Sequence, residues 1–277
     1  FVLAHMSAKL PSGISVVKHA VPMPDGGSVH ALLYSPEHIG AKAPCLIYFH
    51  GGGFVMEPGP SHYELCAQYA LRAGCKVLFV LYSMAPANVF PTQVNECFAS
   101  CLWAVNNAAS LGVDPSHTAV CGDSAGGCLA AAVCLMLRDR AAWKPCLQLL
   151  VYPVTDRRMQ TESMRVYTDT PMWNARLNAK MWRWYMPQGV CADAAYASPM
   201  EAASFAGLPD AYIETAQFDP LHDEAVDYAV ALQNAGVNVE LNQTCATMHG
   251  FDAVLSSPTV RSCVDRRVAA LKAAFLK

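Results

Sequence analysis

Charge is scarce in this 277-residue chain: Asp, Glu, Lys and Arg make up 15% of it, and the formal net charge is −3. No basic stripe offers itself to a nucleic acid, and no acidic run forms a solvated tail. No uninterrupted apolar stretch reaches about 18 residues, so no transmembrane helix is expected. The opening Phe1–Met6 has neither a basic region nor a long apolar core, so it does not read as a signal peptide, and Met6 is a candidate start. Neither G-x-x-x-x-G-K-[ST] nor G-x-G-x-x-G occurs, which argues against the common phosphate-binding loops. Internal repeats and low-complexity linkers are also missing. Cysteine is plentiful, with twelve residues, but C-x-x-C is absent; the closest pair is Cys97 and Cys101. Cys45, Cys75, Cys97, Cys101, Cys121, Cys128, Cys134 and Cys146 lie in or beside apolar runs, where cysteine acts as a small hydrophobe. They predict a reduced, cytoplasmic protein rather than a disulfide scaffold. No Cys/His set has zinc spacing, so no metal is expected.

Apolar residues are abundant, at 53%, and a chain of this length buries a substantial core. Residues 14–23 and 28–36 read as strands joined at Pro24-Asp25-Gly26-Gly27, a hairpin signal. Cys45–Phe49, Lys76–Tyr82, Thr118–Cys121, Gln148–Val154, Ala211–Ala216 and Val237–Asn242 read as six further strands. Helices are expected over 61–73, 91–111, 128–140, 221–234 and 258–276, and Asp114-Pro115 marks a turn. Alternating strands and helices predict a single α/β domain with a mostly parallel eight-stranded sheet and helices on both faces. Residues 155–205 break that rhythm. They hold Trp173, Trp182, Trp184 and several Met and Tyr residues, and read as a small cap insertion over the carboxyl edge of the sheet.

The stretch Gly122-Asp123-Ser124-Ala125-Gly126 lies between an apolar strand and an alanine-rich helix. A glycine-bracketed serine in that setting stands exposed above a sheet, with free helix N–H groups beside it. Ser124 is the candidate nucleophile, although a glycine-rich turn with a solvated serine would spell the same letters. A serine hydroxyl needs a base, and the base needs an orienting group. Asp219, just beyond a strand, is the candidate acid; Asp223 and Glu224, in the next helix, are its rivals. His249, in the loop before the last helix, is the candidate base, with His222 as competitor. Gly51-Gly52-Gly53 supplies backbone amides that, with the Ala125 N–H, suit a developing oxyanion. His50 reads as structural. Most aromatic residues of 155–205 read as core; Phe54, Trp173 and Trp182 are the candidates for lining an acyl or alcohol pocket.

Together, His50-Gly51-Gly52-Gly53-Phe54, Gly122-Asp123-Ser124-Ala125-Gly126-Gly127, Asp219-Pro220-Leu221-His222-Asp223-Glu224 and His249-Gly250-Phe251 resemble the hormone-sensitive lipase-like family of α/β-hydrolase carboxylesterases. The motifs occur in the family's order, and the likeness spans roughly residues 28–275. It implies an α/β-hydrolase fold, with Ser124, His249 and Asp219 as triad and the amides of Gly52, Gly53 and Ala125 as oxyanion hole. It also implies hydrolysis of short-chain esters through an acyl-enzyme, without a cofactor. The expected partner is a small-molecule ester; homo-oligomerisation is left open. Two departures stand out. Ser83 replaces the arginine of the family's Tyr-Arg-Leu-Ala-Pro segment, and Cys128 replaces an asparagine often found after the serine motif. An amidase-type hydrolase on the same fold, such as an arylformamidase, is the alternative. A silent ligand-binding homologue is a further one, disfavoured because all three triad members are retained.

Overall fold

A computed structural model describes residues 11–189 and 193–277. The reading of Phe1–Met6 lies outside the described residues. Eight strands form one sheet: β1 (Ile14–Pro22), β2 (Ser28–Pro36), β3 (Ala43–Phe49), β4 (Lys76–Leu81), β5 (Val113–Asp123), β6 (Gln148–Val151), β7 (Ala211–Phe218) and β8 (Val239–Met248). Their order is β1-β2-β4-β3-β5-β6-β7-β8. The leading hairpin is antiparallel, and β2 joins β4 antiparallel; every pair from β4 to β8 is parallel. The α/β-hydrolase fold expected from the motifs is the fold observed.

The helices are α1 (Pro60–Ala73), α2 (Thr92–Asn106), α3 (Ala108–Leu111), α4 (Ala125–Arg140), α5 (Glu162–Val166), α6 (Ala175–Tyr185), α7 (His222–Asn234) and α8 (Pro258–Ala274). Two apolar clusters flank the sheet. Residues of α2, α4 and α7 build one, and residues of α1 and α8 the other. Helix α4 packs against the sheet, α2 and the 194–201 turns, and every residue from Ala125 to Leu137 is buried. That is why its sequence is apolar on all sides.

Several boundaries differ from the sequence reading: the strand expected over Gln148–Val154 ends at Val151, and three other differences have a visible cause. The helix expected over 91–111 breaks at Asn107, whose side-chain amide donates to the Trp103 carbonyl at 2.9 Å. Asparagine competes with the helix in this way wherever its side chain can reach the backbone. Strand β5 starts at Val113, before the expected turn. The turn survives inside it: the Asp114 carboxylate accepts from the Ser116 N–H and hydroxyl, and the pairing register slips between Ala43 and Cys45. Strand β8 runs on to Met248 rather than stopping at Asn242. It is the edge strand, largely solvated, so the polar Gln243-Thr244 pair loses the apolar signal without ending the ladder. The Thr244 hydroxyl donates to the Thr215 carbonyl at 2.6 Å.

Candidate active site

The carboxyl ends of the central strands carry the site, as the topology of an open α/β sheet requires. Ser124 follows β5, Gly51–Gly53 follow β3, Asp219 follows β7 and His249 follows β8. Ser124 sits at φ 54°, ψ −117°, a strained conformation for a residue with a side chain. Its amide donates to the Val151 carbonyl and its carbonyl accepts from Cys128 and Val154, which over-determine the turn. The chain can bend here because Gly126 has no Cβ: one placed there would overlap the Phe49 carbonyl.

Ser124 Oγ lies 2.8 Å from His249 Nε2, and His249 Nδ1 lies 2.6 Å from Asp219 Oδ2. The other Asp219 oxygen accepts from the Leu221 N–H at 2.9 Å. Asp219 is wholly buried, His249 is 7% exposed and Ser124 4%. The three candidates from the sequence are therefore one hydrogen-bonded line. The rivals lie elsewhere. His222 and Asp223 pair with each other at 2.8 Å, and Asp223 accepts from the Ser163 N–H. Glu224 accepts from the amides of Thr155 and Asp156, holding the start of the 155–205 segment.

Gly52 and Gly53 take φ of 114° and 60°, values that favour glycine. Among the described residues, the N–H groups of Gly52, Gly53 and Ala125 donate to no protein acceptor. The Gly51 N–H is engaged: it donates to Asp123 Oδ1 at 3.0 Å, an oxygen that also accepts from the Tyr48 hydroxyl at 2.6 Å. Asp123 Oδ2 lies 3.3 Å from His62 Nε2, and His62 Nδ1 accepts the Gly59 N–H at the start of α1. Burial pushes the Asp123 carboxyl up, but His62 and the Tyr48 hydroxyl outweigh it and hold the group at about 2. The residue before the serine thus ties the glycine loop to the serine turn. His50 is structural, as read. Its ring is buried, stacks on Tyr82 at 4.4 Å and reaches the Gly51 carbonyl at 2.6 Å. Burial, with His62 nearby, lowers its pKa to about 4.

A second buried network lies under His249. Arg267 is 1% exposed. It donates to Glu214 at 2.5 Å and to Asp252 at 2.8 Å. Asp252 accepts the Tyr152 hydroxyl, and the Tyr152 ring rests 4.6 Å from His249. Sequence reasoning passed over His62, Tyr152, Asp252 and Arg267. No local pattern marks them, because their partners are distant in sequence.

The three pocket candidates part company. Trp173 packs on Gly53 and lies 5.9 Å from His249, ring to ring. Phe54 stacks on Tyr185 at 3.8 Å, and Trp182 packs beside both. Ser83 takes no ion pair; its amide and hydroxyl bind Glu96 at 2.6 and 2.7 Å. The Cys128 thiol donates to the Ala197 carbonyl, joining α4 to the 155–205 segment. The eleven described cysteines are free thiols, most of them buried. Among the described residues no cluster of three His, Cys, Asp or Glu side chains could hold a metal ion, and no helix is long and apolar enough to cross a membrane.

A family model of the alpha/beta hydrolase fold matches residues 46–253. Esterase LipI of Mycobacterium tuberculosis is 34% identical over 234 residues, covering 84% of this chain and 73% of that protein. Ethyl acetate hydrolase of Pseudomonas putida is 34% identical over 236 residues, 82% of this chain and 72% of that protein. The solved structure of a bacterial heroin esterase has a TM-score of 0.92 at 34% identity, over 99% of this chain and 89% of that one. The chain belongs to the α/β-hydrolase fold family, among its hormone-sensitive lipase-like carboxylesterases.

Proposed function

We propose that the chain is a serine carboxylesterase that hydrolyses short-chain, acetyl to butyryl, esters through an acyl-enzyme on Ser124. The observation that carries this reading is the buried line from Ser124 through His249 to Asp219. His249 Nε2 takes the Ser124 proton as Oγ attacks the ester carbonyl. Asp219 holds the imidazole in the tautomer that leaves Nε2 free to accept, and stabilises the imidazolium that forms. The oxyanion is received by the N–H groups of Gly52, Gly53 and Ala125. Each such donor is worth about 3–4 kcal/mol of transition-state stabilisation. His249 then protonates the departing alkoxide, and water repeats the sequence to release the acid.

Support for small acyl groups comes from the site's closure and from the similarity to a hydrolase named for ethyl acetate. The test is hydrolysis of acetyl, butyryl and longer p-nitrophenyl esters and of an arylformamide, with Ser124→Ala as control. The expected result is a kcat/KM that falls beyond butyryl and is lowest for the amide. A loss of about 10⁴-fold or more is expected in Ser124→Ala, since removing a triad nucleophile costs on that order. Faster cleavage of the arylformamide, or equal rates in the two proteins, would contradict the reading.

A further inference from the structure

The catalytic hydroxyl is nearly shut away from solvent, with Ser124 only 4% exposed. Trp173 packs beside it, against the glycine loop and the histidine. A Cβ built on Gly53 would sit 2.8 Å from Trp173 Cη2, so the indole rests directly on the glycine of the oxyanion loop. The same ring stands 5.9 Å from the His249 ring, tilted by 34°. Trp173 Nε1 donates to Asn178 Oδ1 at 3.3 Å, its one side-chain hydrogen bond among the described residues. The next residue outward, Met172, is 62% exposed, and its methyl reaches over Gly250 beside the histidine. The imidazole also meets Tyr152, whose hydroxyl donates to Asp252.

The substituents of the tetrahedral carbon determine what Trp173 faces. The carbon carries Ser124 Oγ, the oxyanion, the alkoxy oxygen and the acyl chain. The oxyanion points at the amides of Gly52 and Gly53. The alkoxy oxygen points at His249 Nε2, which must hand it a proton as the carbon–oxygen bond breaks. A side chain that touches Gly53 and also flanks His249 stands beside the places of those two oxygens. We propose that Trp173 forms the leaving-group wall of the site and sets the size of the alcohol released. This deepens the ester-hydrolase reading and rests on it.

The experiment measures kcat/KM along two series, in wild type, Trp173→Ala and Trp173→Phe. One holds acetyl constant and enlarges the alcohol from ethyl to butyl to 2-naphthylethyl. The other holds ethyl constant and enlarges the acyl group. The ratio of bulky to ethyl alcohol is expected to rise about tenfold or more in Trp173→Ala, the scale on which apolar pockets discriminate by size. Trp173→Phe should fall between the two, and it carries the same test should the alanine variant lose its fold. The acyl series should keep its order and spacing. A shift in the acyl series, or an unmoved alcohol ratio with wild-type esterase activity present, overturns the assignment of Trp173 alone. Absence of wild-type hydrolysis of every ester overturns the reading beneath it as well.

Discussion

At the scale of single residues, His50 shows how strongly this site depends on neutral, buried polar groups. Burial pushes its pKa down to about 4, from about 6.5 for a solvated histidine. A histidine lowered in this way binds its proton in the unfolded chain first. It therefore withdraws stability as pH falls from about 6.5 towards 4, and has no effect above that window. Chemical denaturation should show wild type losing about 2 kcal/mol through this group between about pH 7 and pH 5. His50→Phe removes the titrating group. An equal pH slope in both proteins would mean the ring is not buried neutral. Of the site, Ser124, Asp219 and His249 could be read from sequence because each closes a strand and stands in a short local pattern. Asp123 stood in the same motif, but its function there comes from Tyr48, Gly51 and His62, and no spacing in the sequence encodes that meeting. His62 reads only as one more helix residue.

Among the elements, the β5–α4 turn bears the tightest constraint. Ser124 can hold its strained backbone only because α4 comes directly against the end of β3 at Gly126. Gly126→Ala would drive a methyl into the Phe49 carbonyl, and neither partner is a flexible side-chain tip. A loss of more than about 3 kcal/mol is expected in urea unfolding, in the range reserved for core overpacking and backbone clashes. Unfolding within experimental error of wild type would show that β3 and α4 do not approach as described. The elements themselves were legible where burial is uniform. The apolar runs of β3, β4 and β6 and the all-buried α4 announce themselves. The edge strand β8 did not, because a strand solvated along most of its length carries too few apolar residues to mark its end. The break at Asn107 was likewise hidden, since one side-chain hydrogen bond decides it.

Over the whole molecule, Arg267 joins parts that are far apart in the chain. From α8 it reaches Glu214 on β7, Tyr69 on α1 and Asp252 in the loop after His249. One buried cation thus offsets two carboxylates beneath the site. Arg267→Met would leave both without their partner, and breaking such a pair costs about 3–5 kcal/mol. The expected result is a large drop in the urea midpoint, with a weaker grip on His249 through Asp252 and Tyr152. An unchanged midpoint would contradict a buried ion pair at this place. Fold class and the order of the site residues were written in the sequence as alternation and motif order. This network was not, because it is assembled only when α1 and α8 pack beside each other over β7. The proposed mechanism passes through a covalent acyl group at Ser124. Wild-type protein mixed with p-nitrophenyl acetate, quenched in acid within the first turnover and digested, should carry one acetyl group on the peptide containing Ser124. The same treatment of Ser124→Ala should leave that peptide unlabelled. Turnover of the ester with the label elsewhere, or with no label at all under conditions that show a burst of nitrophenol, would contradict it.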